Sequence, residues 1–431
     1  MTREELLTDN RIAAIQEAAW AKAWRYARLH SPFYRQHLQS IGSQRRFIPL
    51  SQIESIPPIN NSVLSANSDS FLCVPPKRIV DIVTTSGSTG KPLVCRLTDA
   101  DLCRLAVNEF HSFRCVGLTA ADTVLLAVTL DRCFIAGMAY FTGLRLLGCG
   151  IVRAGPATPL LSLEMLHRAK VTAIVGVPSS LLLLAEKAAE AGQDPAALGV
   201  RKLICIGEPV RNQDFTLNRV GELLAQRWQA RVYSTYGNTE IAASLCECDA
   251  GVGGHLHPEL LYLEALDEAG YPLPDGQVGE LTATTFGVEA MPLIRYRTGD
   301  FAAIYREPCA CGRCTLRIGP IAGRASQKLK LKGTTIFPAA LKAVLDASPE
   351  LSAYVILARH NASGTDEVEV RLASSGKPDR TLSALRERFQ GTVKAVPEIT
   401  FTAPAEIELL QMPAGARKRR YFVDLRPSVH E

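Results

Sequence analysis

Apolar and polar positions change their spacing three times along this chain. Residues 3–30 place Leu6, Ile12, Ile15, Ala19, Trp20 and Trp24 at helical intervals and stop at Ser31-Pro32, which predicts an N-terminal helix. From about 80 to 233, short apolar runs alternate with amphipathic stretches of helical length. The runs at 123–128, 150–152, 172–175, 202–206 and 231–234 read as strands of a mostly parallel sheet covered by helices. From Leu260 the period shortens to two, with Leu261, Leu263 and Ala265 on one side, a turn at 271–276 and a second strand at 280–285, as in an antiparallel unit. Beyond Arg324 a hairpin at 328–333, a helix at 338–347 and strands at 354–357 and 368–372 predict a small α+β domain. The expected fold class is therefore α/β, with a large domain over 1–325 and a small one over 326–431.

Composition narrows this only a little. With 431 residues, 47% hydrophobic and 21% charged, the chain is an ordinary globular protein, and its net charge of +5 suits nucleotides as well as nucleic acid. Acids stand among the first residues where a signal peptide needs basic ones, and the most apolar stretch, 171–185, is short and interrupted by Pro178. A cytoplasmic protein that spans no membrane is expected. Its twelve cysteines then raise metal ligation rather than disulfides.

The chemistry starts at Thr84-Thr85-Ser86-Gly87-Ser88-Thr89-Gly90-Lys91-Pro92, which follows an apolar run. Two glycines allow a tight turn of backbone N–H groups, Thr85, Ser86, Ser88 and Thr89 add hydroxyls, and Lys91 adds a cation, so the loop suits phosphate. It is not a Walker A loop, because Lys91 is followed by proline and the residue five before Gly90 is threonine.

Four further segments follow in order: Gly207-Glu208-Pro209, Tyr236-Gly237-Asn238-Thr239-Glu240, Arg295-Tyr296-Arg297-Thr298-Gly299-Asp300 and Gly323-Arg324. Together with the loop they resemble the successive motifs of the adenylate-forming superfamily of acyl-CoA synthetases and adenylation domains. His30-Ser31-Pro32-Phe33-Tyr34-Arg35, Pro292-Leu293-Ile294 before Arg295, and Cys309-Ala310-Cys311-Gly312-Arg313 are similar to the phenylacetate-CoA ligase branch. The resemblance implies an adenylate-forming enzyme fold with a mobile C-terminal domain. It also implies that an aromatic acid reacts with ATP to give acyl-AMP and pyrophosphate and then passes to CoA.

Carried onto this sequence, the resemblance gives the β- and γ-phosphates to Thr85, Ser86, Gly87, Ser88, Thr89, Gly90 and Lys91, the α-phosphate to Thr239 and Mg2+ to Glu240. Adenine falls to Tyr236, with Gly237 and Asn238 beside it and Gly207, Glu208 and Pro209 on its other face. Asp300 takes the ribose hydroxyls, Arg324 reaches ribose or phosphate, and spacing from Val423-Asp424 selects Lys418 as the adenylating lysine. Relatives carry Asp or Lys where this chain has Ser326, a departure that bears on the second half-reaction.

Cys309-Ala310-Cys311 with Cys246-Glu247-Cys248 and His255-Leu256-His257 suits a mixed Cys/His Zn2+ site of structural type. The branch pattern selects Cys248, His255, Cys309 and Cys311, with Cys246, His257 and Cys314 as competing ligands. For the acid, the resemblance implies a pocket lined by Asp131, Arg132, Phe134, Ala136 and Gly137 and by Pro178 and Ser179. Asp131 and Arg132 suggest a polar-substituted aromatic acid; the other reading is that they face solvent or pair with each other. An acyl carrier protein in place of CoA is the alternative acceptor, and a homodimer is admitted. A zinc-containing nucleic-acid-binding protein is the distant alternative, one that has no use for Glu240 or Asp300.

Overall fold

A computed structural model describes residues 9–39, 47–85, 93–156, 158–331, 334–361, 366–412 and 419–426. The chain divides into two compact units, Met1–Ile321 and Ala322–Glu431.

The first unit is organised by a six-stranded sheet in the order Gly150–Arg153, Thr123–Ala127, Ala173–Gly176, Lys202–Ile206, Arg231–Asn238 and Ala243–Cys246. The first five strands are parallel and the last runs antiparallel. Alternation along the strands divides their side chains between two cores. Leu125, Ile174, Leu203 and Val232 pack with Leu181 and Trp228 on one face, while Val124, Val175, Ile204 and Tyr233 pack with Phe113 and Tyr140 on the other. Both faces being covered, the strands read as continuous apolar runs.

Four differences from the sequence reading matter for the site. The strand expected at 231–234 runs on to Asn238, so the Tyr236-Gly237-Asn238 segment is strand, held in register by Ala243–Cys246. Ile79–Thr84 does not join the parallel sheet; it pairs antiparallel with Val94–Thr98 in a separate ribbon. The N-terminal helix spans Asp9–His30 and is followed by a second, Pro32–Gln39. The antiparallel unit contains Leu261–Leu266, Gly279–Thr285 and a third strand, Tyr296–Ala302, which carries the Arg295–Asp300 motif.

The second unit has the expected hairpin, Leu329–Leu331 with Thr334–Ile336, and the helix Pro338–Asp346. Its sheet orders Glu398–Phe401, Asp366–Ser374, Leu351–His360 and Phe422–Asp424 over the helices Pro378–Thr392 and Pro404–Gln411. Among the described residues no helix is long and apolar enough to cross a membrane.

Candidate functional site

Residues Ser86, Gly87, Ser88, Thr89, Gly90 and Lys91 lie outside the described residues, as does Lys418. The frame of the loop is defined by its neighbours. Thr85 N–H donates to Leu93 O over 3.0 Å, and Leu93 N–H donates to Thr85 Oγ1 over 3.0 Å, so the two residues clasp the ends of the segment. Thr84 N–H donates to Cys133 O over 3.0 Å, docking the ribbon on the 131–133 turn. Arg132 and Cys133 hold that turn with φ of 59° and 54°, a region that L-residues seldom occupy. After the ribbon, Thr98 and Asp101 form a capping box that starts the helix Asp99–Cys115.

Two hydrogen bonds join the parallel sheet to the antiparallel unit. Tyr236 donates its hydroxyl to Asp300 Oδ2 over 3.0 Å, and Tyr296 donates its hydroxyl to Glu240 Oε1 over 3.2 Å. Burial, and then the charge of the carboxylate beside each ring, push both phenols well above the usual tyrosine range. Both therefore stay protonated as donors. Asn238 Oδ1 accepts from Glu240 N–H over 3.0 Å and from Ile241 N–H over 3.3 Å, an Asx turn that swings Thr239 and Glu240 out of the strand. Thr298 Oγ1 accepts from Asp300 N–H over 3.2 Å and fixes the backbone behind that carboxylate.

Arg295 is the hub of this frame. Its guanidinium, 1% exposed, binds Glu264 through two N–H groups at 3.0 Å each, and donates to the carbonyls of Glu54 at 3.0 Å, Ile56 at 2.7 Å and Gly270 at 3.1 Å. A buried guanidinium with every donor engaged, one of its partners being a carboxylate, is a satisfied one. Tyr296, its neighbour, is thereby set facing Glu240.

Gly207 turns with φ 73°, a conformation that favours glycine. Glu208 next to it accepts from Ser179 N–H over 2.9 Å and from Ser179 Oγ over 2.8 Å. The helix Pro178–Glu190 has no side-chain cap of its own from Val177, so Glu208 caps it from another strand end. The segment expected on the adenine side is thus tied to the segment expected on the acyl side.

The acyl candidates divide. Gly137 is packed so tightly that a Cβ there would fall 2.1 Å from Thr129 O, which requires glycine where the helix Ile135–Leu147 meets the preceding turn. Ala136 is half-buried on that helix, Pro178 is buried and Ser179 exposed, and Phe134 is exposed just ahead of the helix. Asp131 and Arg132 were expected either to meet a polar substituent of the acid or to face solvent and each other. Their side chains are 79% and 61% exposed and their charged atoms lie 3.9 Å apart, so they face solvent and each other. Arg324 is exposed on the strand Gly323–Arg324 of the second unit.

Cys248, His255, Cys309 and Cys311 bring one ligand atom each within 4.8 Å of all the others. Cys248 Sγ lies 3.6 Å from Cys309 Sγ, and Cys311 Sγ lies 3.6 Å from His255 Nε2. Sulfurs of a tetrahedral Zn2+ with bonds of about 2.3 Å stand roughly 3.8 Å apart, so the set fits that ion. Thr315 Oγ1, 3.1 Å from His255 Nδ1, holds the ring with Nε2 toward the sulfurs. Burial alone would raise the Cys311 thiol, but hydrogen bonds from His255 and Arg313 bring it down to about 5. Of the competing ligands, Cys246 is turned to Thr235 Oγ1 at 3.1 Å and His257 to Ser112 Oγ at 3.1 Å. Cys314 is not part of the group.

Sequence reading gave no role to Tyr296 or Arg295, and placed Glu208 beside adenine without its tie to Ser179. For Tyr296 a signal existed, since it stands between Arg295 and Arg297 at the start of the strand that carries Asp300.

With this geometry in place, comparison with known proteins gives the class. A family model described as AMP-binding enzyme matches residues 26–289, and the chain belongs to that family, within the adenylate-forming superfamily. Its curated relatives place it in the phenylacetate-CoA ligase-like branch. A phenylacetate-coenzyme A ligase of Thermus thermophilus is 28% identical, over 90% of this chain and 91% of its own length. Another, of Pseudomonas putida, is 27% identical over 79% and 77%. The fold is shared with 2-hydroxyisobutyryl-CoA ligase in complex with 2-HIB-AMP, at a TM-score of 0.82 and 22% identity over 98% of this chain and 91% of that one.

Proposed function

We propose that the protein activates an aromatic carboxylic acid with ATP and transfers the acyl group to CoA. In the first step a carboxylate oxygen bonds to the α-phosphorus, the bond from that phosphorus to its bridging oxygen breaks, and pyrophosphate leaves. In the second the CoA sulfur bonds to the acyl carbon, AMP leaves with the electron pair of the broken mixed anhydride, and the thiol proton passes to solvent. The observation that carries this reading is the paired arrangement of Tyr236 with Asp300 and Tyr296 with Glu240, which sets two carboxylates around one strand end. Asp300 suits two ribose hydroxyls, because one carboxylate accepts several hydrogen bonds. Glu240 suits the Mg2+ that accompanies ATP, which when bound offsets phosphate charge.

The aromatic acid is supported by the relatives, which include four phenylacetate-coenzyme A ligases. Zn2+ suits Cys248, His255, Cys309 and Cys311 as a closed structural site, with no role in the chemistry. The small unit is taken as the domain that turns between the two steps, bringing Lys418 to the first. The test is a panel of aryl and arylacetic acids with ATP, with and without CoA, read by pyrophosphate release and by mass spectrometry. Pyrophosphate with acyl-CoA is expected. Pyrophosphate with acyl-AMP and no thioester would assign the acyl group to another acceptor, and no release with any acid would overturn the function.

A further inference from the structure

The polar contact sought at Asp131 and Arg132 has a better candidate one helical turn past Gly137. Tyr140 lies on the helix Ile135–Leu147, only 5% exposed, with its ring edge-on to Phe113 at 5.8 Å. Among the described residues its hydroxyl has no hydrogen-bond partner. A phenol on a buried ring usually finds one. Around it the core is made by residues at the carboxyl ends of the parallel strands, Val128, Val177 and Ile206, where open α/β sheets take their ligands. Ala136, four residues earlier on the same helical face, packs both in this core and in the one that contains Tyr236. The Ala136–Tyr140 face therefore lies where the two cores meet.

A second polar group sits beside it. Gly143, on the same face three residues after Tyr140, lets Glu109 approach so closely that a Cβ at 143 would fall 2.3 Å from Glu109 Cβ. Glu109, 2% exposed, accepts from Ser244 Oγ over 2.8 Å and from Asn108 Nδ2 over 3.2 Å. Each bond engages a different carboxyl oxygen, so acceptor capacity remains. Ser244 is paired in register with Gly237, and Cys246 with Thr235, so this polar lining continues along the strand of the site.

Resting on the acid-activating function proposed above, we infer that Tyr140 is the specificity residue of the acyl pocket and that, with Glu109 behind it, it selects acids bearing a hydroxyl or amino group away from the carboxylate. Such a substituent gives the phenol the partner it lacks, and its own O–H or N–H faces a site biased toward acceptors by Glu109. An unsubstituted ring would leave the phenol unpaired in the complex, and that difference is the source of the discrimination.

The test measures kcat/KM for pyrophosphate release with phenylacetate and benzoate against their hydroxy- and amino-substituted forms, in wild type, Tyr140→Phe and Glu109→Gln. Tyr140→Phe removes an oxygen that bonds no group among the described residues, so it breaks no hydrogen bond of the fold described above. The expected result is a wild-type preference for a substituted acid, with the ratio of substituted to unsubstituted kcat/KM falling about tenfold or more in Tyr140→Phe and by a smaller factor in Glu109→Gln. A wild type that prefers the unsubstituted acids, or a ratio that neither variant moves, overturns this inference while leaving acid activation standing. No release with any acid overturns the proposed function and this inference with it.

Discussion

Tyr236 and Asp300 meet across 3.0 Å, the phenol of a parallel-sheet strand donating to a carboxylate of the antiparallel unit. Whatever binds Asp300 is therefore positioned relative to the face of Tyr236. Asp300→Ala is expected to lower ATP-dependent pyrophosphate release at least about a hundredfold with unchanged circular dichroism, since it removes the carboxylate outright. Tyr236→Phe keeps the ring and loses one charge-assisted hydrogen bond, so a loss of roughly tenfold in kcat/KM for ATP is expected. Steady-state kinetics at varied ATP distinguish the two.

Glu240 is held by Tyr296, and the two should act on the same ion. Glu240→Gln is expected to abolish most pyrophosphate exchange and to raise the Mg2+ concentration needed for what remains. Tyr296→Phe should raise that concentration only several-fold, because it frees the carboxylate to turn without removing it. A Mg2+ titration of each variant checks this.

Glu208 caps the helix Pro178–Glu190 through Ser179. Glu208→Ala should cost about 1 kcal/mol of stability, as other lost helix caps do. It should also raise the KM values for ATP and acid together, since the tie links both segments. A change in one KM alone would show that the segments are positioned separately.

Burial raises the Glu109 carboxyl from its ordinary 4.5 to about 7, against hydrogen bonds from Ser244 and Asn108 that favour ionisation. A raised carboxyl pKa means that the folded protein holds the proton more tightly than the unfolded chain. The stability it contributes is present below pH 4.5 and is lost as pH rises through 7. At roughly 1.4 kcal/mol per pKa unit the loss is on the order of 3 kcal/mol. The neighbouring titratable groups, Tyr140 and Cys246, are pushed up by burial and stay neutral in this range. His257, linked through Ser112, is pushed down by burial and is neutral as well. Glu109→Gln cannot ionise, so its melting temperature relative to wild type is expected to rise between pH 5 and pH 8. A constant difference across that range would refute the assignment.

Protein purified without chelator is expected to carry about one zinc per chain by elemental analysis. Cys309→Ser should release it and lower the melting temperature, while adenylation measured well below that temperature persists, as a closed structural site requires.

The periodicity of the chain carried most of the architecture, because strands buried on both faces and amphipathic helices leave plain patterns in the sequence. Leu125 and Val124 show how, falling to opposite cores from adjacent positions. The apolar run ahead of the phosphate loop did not reveal its antiparallel partner, because apolar content does not record pairing direction. Motif residues such as Asp300 and Glu240 were legible as types of chemistry. Their partners Tyr236 and Tyr296 come together only through the crossing of two sheets, which no local spacing encodes. Tyr140 and Glu109 were not legible as chemistry, because they sit on helices that read as ordinary core.

The reach of Arg295 gives the start of the chain an unexpected standing. Because its guanidinium binds the carbonyls of Glu54 and Ile56, and its neighbour Tyr296 binds Glu240, backbone that precedes the phosphate-loop segment is two residues removed from the Glu240 carboxylate. A chain trimmed to begin at the strand Ile79–Thr84 would keep every residue named for chemistry and still lose the brace beneath them. Engineering of this enzyme, whether by shortening, by domain exchange or by transplanting its site onto another scaffold, should carry residues 47–60 along as part of the active centre.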